Sequence, residues 1–250
     1  MPHPTKADPN HRSAAGRLHR LLLDAKGKEH SWSVSKVWAN VLGISEQDNV
    51  AVLQAVAEIL TLVAKAKSEV GANEELNQDL YLRPLKQVEQ ILSQLNLHTS
   101  WSSIAGQLSE STLTALEFCA ETLDRFATEA ELDVMVLDEL RQEIDGILSE
   151  VLNAKLSASL EQLIVSKLEE IRHAILMYRV HGAAGLDQVV QKSVGALVLA
   201  REEVKKHANT KAVQRFVDLV IKVEEVIERA LRLARFAKPV VIGLLGRGDN

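Results

Sequence analysis

The side chains best equipped for chemistry crowd into residues 160–182, LEQLIVSKLEEIRHAILMYRVHG, which hold His173, Tyr178 and His181. Imidazoles and a phenol are the groups that move protons near neutral pH. On one helix, positions 173 and 181 lie about 80° apart in projection and roughly 12 Å apart along the axis. They reach one substrate atom only with help from another helix. The same stretch spells one Glu-x-x-His, Glu170-Ile171-Arg172-His173. A di-iron carboxylate site in a helical bundle needs two such pairs and two further glutamates. No second pair occurs, since Glu203 and His207 are four apart. Half a motif cannot close a coordination sphere, so neither metal nor cofactor is expected. Apolar residues at 160, 163, 164, 168, 171, 175 and 178 step by three and four, which predicts a central core helix ending near Gly182.

A second candidate is residues 201–207, Arg-Glu-Glu-Val-Lys-Lys-His. The segment resembles the Arg-x(4–6)-His pattern of the HEPN ribonuclease family, all-α proteins of prokaryotic defence and toxin–antitoxin systems. The resemblance covers seven residues. It implies RNA cleavage, with His207 transferring a proton and Arg201 stabilising phosphate charge. The residue after the arginine is commonly small and polar in that family, and here it is Glu202. A nucleophile elbow, a phosphate-binding loop, a dinucleotide fingerprint and Cys/His zinc spacing are all absent from the sequence. The lone cysteine, Cys119, sits in a helical pattern that buries it, which predicts an inert core thiol and a reducing, cytoplasmic setting.

A third candidate is a binding surface. Arg229, Arg232, Arg235 and Lys238 recur every three residues and precede Pro239 and an apolar run, Val240–Leu245. A basic row with an apolar tail suits a partner groove or an anionic membrane. Basic residues also complement a helix C-terminus.

These candidates must be positioned by helices. Of 250 residues, 46% are hydrophobic, 4% aromatic and 25% charged, with twelve Gly and five Pro. Sparse punctuation favours long regular elements, and no segment alternates apolar and polar residues at strand spacing. The sequence predicts an all-α, irregular bundle of about nine helices. Apolar stripes include Val50, Leu53, Val56, Ala57, Leu60, Val63 and Ala64 after a capping box at Ser45, and Leu113, Leu116, Ala120, Leu123 and Phe126 further on. Pro84 is expected in the first turn of its helix. No apolar run approaches eighteen residues, so no membrane span is expected. Residues 1–16 read as a disordered leader, 17–238 as one helical domain and 239–250 as an apolar, flexible tail. A subdivision near 98–103 would give 17–97 and 104–238.

The net charge of −5 argues against a nucleic-acid coat. Charge is uneven: residues 129–170 carry eleven acidic against three basic side chains, and 201–238 ten basic against six acidic. Ends folding back beside the middle would satisfy that asymmetry internally. With reactive constellations missing and helical faces plentiful, the expected function is a non-catalytic, bacterial-type interaction or regulatory module. Its partner would be another protein or its own copy. Nucleic acid enters only under the ribonuclease reading, and membrane only through the tail.

Overall fold

The computed structural model describes residues 12–127 and 129–231, and among them it is all-α. Eleven helices follow one another: α1 (Ala14–Lys26), α2 (Val34–Leu42), α3 (Asn49–Gly71), α4 (Gln78–Ser93), α5 (Ser102–Ala105), α6 (Glu110–Asp124), α7 (Val134–Asn153), α8 (Ala158–Leu176), α9 (Tyr178–Leu199), α10 (Arg201–Lys206) and α11 (Lys211–Leu231). The count exceeds nine for two local reasons. The polar turn around Trp101 winds into the short α5, and the segment after Gly185 divides at Ala200 into α9 and α10.

The chain forms two compact units, Met1–Thr128 and Glu129–Asn250. The division falls between residues 128 and 129, inside the stretch 17–238 and beyond 98–103. Residues 98–103 are sewn into the first unit. Val34 and Ser35 donate backbone N–H groups to Thr99 and Leu97 carbonyls, and Trp101 donates to Trp32. The indoles of Trp38 and Trp101 meet edge to face at 5.9 Å, both fully buried.

In the first unit α1, α3, α4 and α6 close a ring, each packed on the next, with α2 against α1 and α3. Short polar side chains start the helices. Ser13, Ser33, Asp48, Asn77 and Ser109 each accept a backbone N–H from the first turn of α1, α2, α3, α4 and α6, which satisfies amides a helix cannot pair itself. Helix α3 is therefore capped by Asp48, three residues beyond the expected Ser45, whose hydroxyl instead accepts from Gln47 N in an exposed turn. Asn77 likewise caps α4, which begins at Gln78. Pro84 consequently sits inside the helix, not in its first turn. Residues 14–16, expected within the leader, are helical and buried; residues 1–11 lie outside the described part.

The α1 start also gathers half-buried charge. Asp124 accepts from Arg12 N and Ser13 N, and Glu69 accepts from Ala14 N at 3.0 Å. Burial pushes the Glu69 carboxyl above its ordinary value of 4.5; the Ala14 amide, Lys65 and Arg17 pull it down, and Asp124 adds to the rise. A folded value above the unfolded one means that the native state binds the extra proton. Its stabilising contribution is complete below the unfolded value and is lost as pH rises through the folded one. Glu69→Gln removes that titration. Urea midpoints across pH should show the wild type losing stability relative to E69Q from about pH 4 upward, then running parallel to it. The opposite slope would contradict the assignment.

The second unit repeats the arrangement: α7, α8, α9 and α11 close a ring, with α10 as a short link before α11. Its core includes Leu140, Ile144, Ile164, Leu168, Ile171, Leu186, Phe216 and Val220. The expected stripe of residues 160–182 is largely inside, but the helix stops at Leu176, before Gly182. Gly182 is instead a joint within α9, with φ 66° and ψ −163°, a conformation nearly exclusive to glycine that would cost an L side chain about 1–3 kcal/mol. Three residues on, a Cβ at Gly185 would lie 2.5 Å from His181 Cβ. Both glycines let α9 restart in close contact with its own preceding turn.

The charge asymmetry is resolved inside this unit. Glu143 of α7 pairs with Lys222 of α11 at 2.8 Å, and Glu150 pairs with Lys211 and Arg215, each at 2.9 Å. Seven residues separate Glu143 from Glu150, and Lys222 from Arg215, so the two helices run antiparallel in register. Hydrogen bonds from Lys211 first, then Arg215, hold the Glu150 carboxyl below its ordinary value.

Candidate functional site

The groups with catalytic potential are occupied by structure. Tyr178 is buried, and its hydroxyl accepts the backbone N–H of Leu132 at 2.9 Å. Beside it, the Glu129 carboxylate accepts from Ala183 N, the first amide after the Gly182 joint. These two bonds fasten residues 129–132 to α9, and Ala130 N donates to Ala230 O at the end of α11. The phenol thus tethers a segment. His173 is exposed on α8, whereas His181 is half-buried against Gly185. Glu170, the carboxylate of the lone Glu-x-x-His, receives Lys167 Nζ at 2.6 Å. Among the described residues no three His, Cys, Asp or Glu converge as metal ligands.

Arg201 and His207 bracket α10. The Arg201 guanidinium, exposed, lies 3.3 Å from the Glu202 carboxylate. Glu203 takes hydrogen bonds from Lys206 at 2.7 Å and from Ser157 at 3.0 Å; the Lys206 bond is the larger cause holding its carboxyl below the ordinary value. Six positions along a helix separate Arg201 from His207 by about 120° in projection and roughly 9 Å. One carboxylate, Glu202, thus stands on the arginine that would meet a phosphate.

Cys119 is fully buried, and burial together with the Glu69 charge pushes its thiol up to about 12. Essentially no thiolate exists at neutral pH. Of the basic row, Arg229 is exposed and donates Nε–H to the Glu225 carbonyl of its own helix. Arg232, Arg235, Lys238 and the tail 239–250 lie outside the described residues.

What the structure brings forward is α3. Its core face is Val52, Ala55, Val56, Ile59, Leu62, Val63, Ala66 and Val70. Of the residues expected inside, Val50 is 65% and Leu53 56% exposed, and Ala57 and Ala64 are exposed as well. Leu60 is half-buried. The correction has a simple cause: α3 is apolar nearly all round, and one helix can turn only one stripe into a core. The core stripe is the one that continues to Val70; the outer row runs into Lys67 and Gly71. Phe126 is likewise outside, 54% exposed, because α6 ends at Asp124.

The outer row, Val50, Leu53, Ala57, Leu60 and Ala64, is spaced three, four, three, four. That is the a/d repeat with which helices pack against helices. No other described helix carries an exposed apolar row of this length. The double apolar face also makes α3 the one described helix long and apolar enough to cross a membrane, with a mean hydropathy of 1.5 over its best window, of which 39% is buried. Length and composition alone set that, and a helix packed into a core meets the same test.

Set against protein-family models, curated proteins and solved structures, the chain matches none.

Proposed function

We propose that this chain is a non-catalytic helical interaction module and that it engages its partner through the outer row of α3. The observation that carries the reading is that row: four exposed apolar side chains and the half-buried Leu60, in heptad spacing on a helix whose other face already completes a core. Contiguous apolar surface left in water marks binding sites, and its burial is the main favourable term in association, about 25 cal/mol per Å². The spacing specifies a helix as the complementary shape. Of the catalytic candidates, Tyr178, Glu170 and Arg201 are each engaged by a neighbouring group, and His207 stands at the opposite end of α10 from Arg201. A single buried thiol suits a reducing, cytoplasmic compartment.

The test is occupancy of the row inside its host. Ala57→Cys adds a thiol at an exposed position where substitution changes stability by less than about 0.5 kcal/mol. Ser111→Cys, exposed on α6, serves as the control. Maleimide labelling in intact cells should be at least tenfold slower at A57C than at S111C, and the two rates should converge once the protein is purified and diluted. Equal rates in the cell would overturn the reading.

A further inference from the structure

We infer that the helix covering this row is α3 of a second copy, lying antiparallel. The inference rests on the binding role just proposed for the row and adds the identity of the occupant. In an antiparallel helix pair, an a residue of one helix faces a d residue of the other. With Val50, Ala57 and Ala64 at a, and Leu53 and Leu60 at d, one register seats the whole row. Leu53 faces Ala64 of the other copy, Ala57 faces Leu60, and two-fold symmetry repeats both layers in reverse. Every layer then joins one large and one small side chain, which is how facing positions fill space without strain. A parallel pair would instead set leucine on leucine and alanine on alanine. Val50 meets Lys67, whose ammonium is held by Glu89 at 2.9 Å, so that its methylene stem can cover the valine.

Charge supports the same occupant. On one side of the row the α3 residues at heptad spacing are Gln54, Thr61 and Ser68, all exposed and all uncharged. Antiparallel pairing brings Gln54 beside Thr61, with no like charges opposed. A seam built for an anionic lipid surface would carry Lys or Arg on this flank. The isologous arrangement is closed and adds no further copies. Helix dipoles also oppose favourably when the helices run antiparallel. Four interior layers bury less than a standard interface, so the pair forms at micromolar concentration and separates on dilution.

The test uses two single variants of the full chain, Leu53→Cys and Ala64→Cys. In the antiparallel register position 53 faces 64, whereas 53 lies about 16 Å along the axis from its own symmetry mate, too far for a disulfide, which needs Cα atoms within about 7 Å. Under mild oxidation a mixture of L53C and A64C should give at least tenfold more covalent dimer than either variant alone. Cys119, buried and protonated, stays out of the reaction. Self-coupling of either variant alone would overturn the antiparallel pair, and absence of any covalent dimer would overturn the second copy as occupant. If A57C is protected in cells while the mixture stays monomeric, the interaction surface stands and its occupant is another chain. If A57C is also unprotected, both readings fail.

Discussion

Replacing Trp101 with Ala should cost the first unit about 3–5 kcal/mol, the range for removing a large aromatic side chain from a packed core. Trp101 is fully buried and meets Trp38 edge to face, a geometry that adds roughly 0.5–1.5 kcal/mol beyond the area it covers. The backbone bonds joining residues 97–102 to residues 30–35 remain, so the loss is one of packing. All three tryptophans, Trp32, Trp38 and Trp101, lie in the first unit. Their fluorescence therefore reports that unit by itself. At a urea slope of about 1–3 kcal/mol/M, the fluorescence midpoint of W101A should fall by at least ~1 M. Were residues 98–103 a connector between two domains, the change would stay within about 0.5 kcal/mol, as for other surface positions.

Helix class was legible because it is written in local spacing. Sparse Gly and Pro and stripes such as Leu160, Ile164, Leu168 and Ile171 agree with what formed. The division of the chain was less legible. The backbone pairing between Ser33 and Ser100 joins positions far apart in sequence and leaves no local signature, so HTSWSS read as a break when it is a seam. Gly182 reads equally well as a helix stop and as a joint; φ 66° suits either, and ψ −163° with the helix resuming after it makes it the joint. The candidate surface was present in the sequence but assigned to the inside. Two apolar rows interleave on α3, and which one is buried depends on neighbours that periodicity does not identify. The sharper signal lay in length: the row ending at Val70 spans the whole helix, whereas the row beginning at Val50 gives out at Ala64. The basic residues at 211–222 found their partners in the acidic α7, as mixed charge on one chain commonly does.

Replacing Leu53 with Glu should leave the fold intact and abolish association. Leu53 is 56% exposed on α3, so a carboxylate there stays in water in the free protein and changes stability by less than about 0.5 kcal/mol. Once the row is covered, the same carboxylate must leave water against apolar side chains with no partner charge. Binding should weaken more than a hundredfold, equivalent to about 3 kcal/mol. Leu199, 90% exposed on α9 of the second unit, supplies the matched control, an equally drastic change of an apolar surface residue elsewhere. The most direct measurement is capture from the native host, after chemical crosslinking in the intact cells, of tagged wild type, L53E and L199E, each beside a co-expressed untagged copy. The account predicts that the untagged copy is recovered, crosslinked, with wild type and with L199E, and not with L53E. Equal recovery with L53E would show that the outer row of α3 is not the surface through which this protein acts.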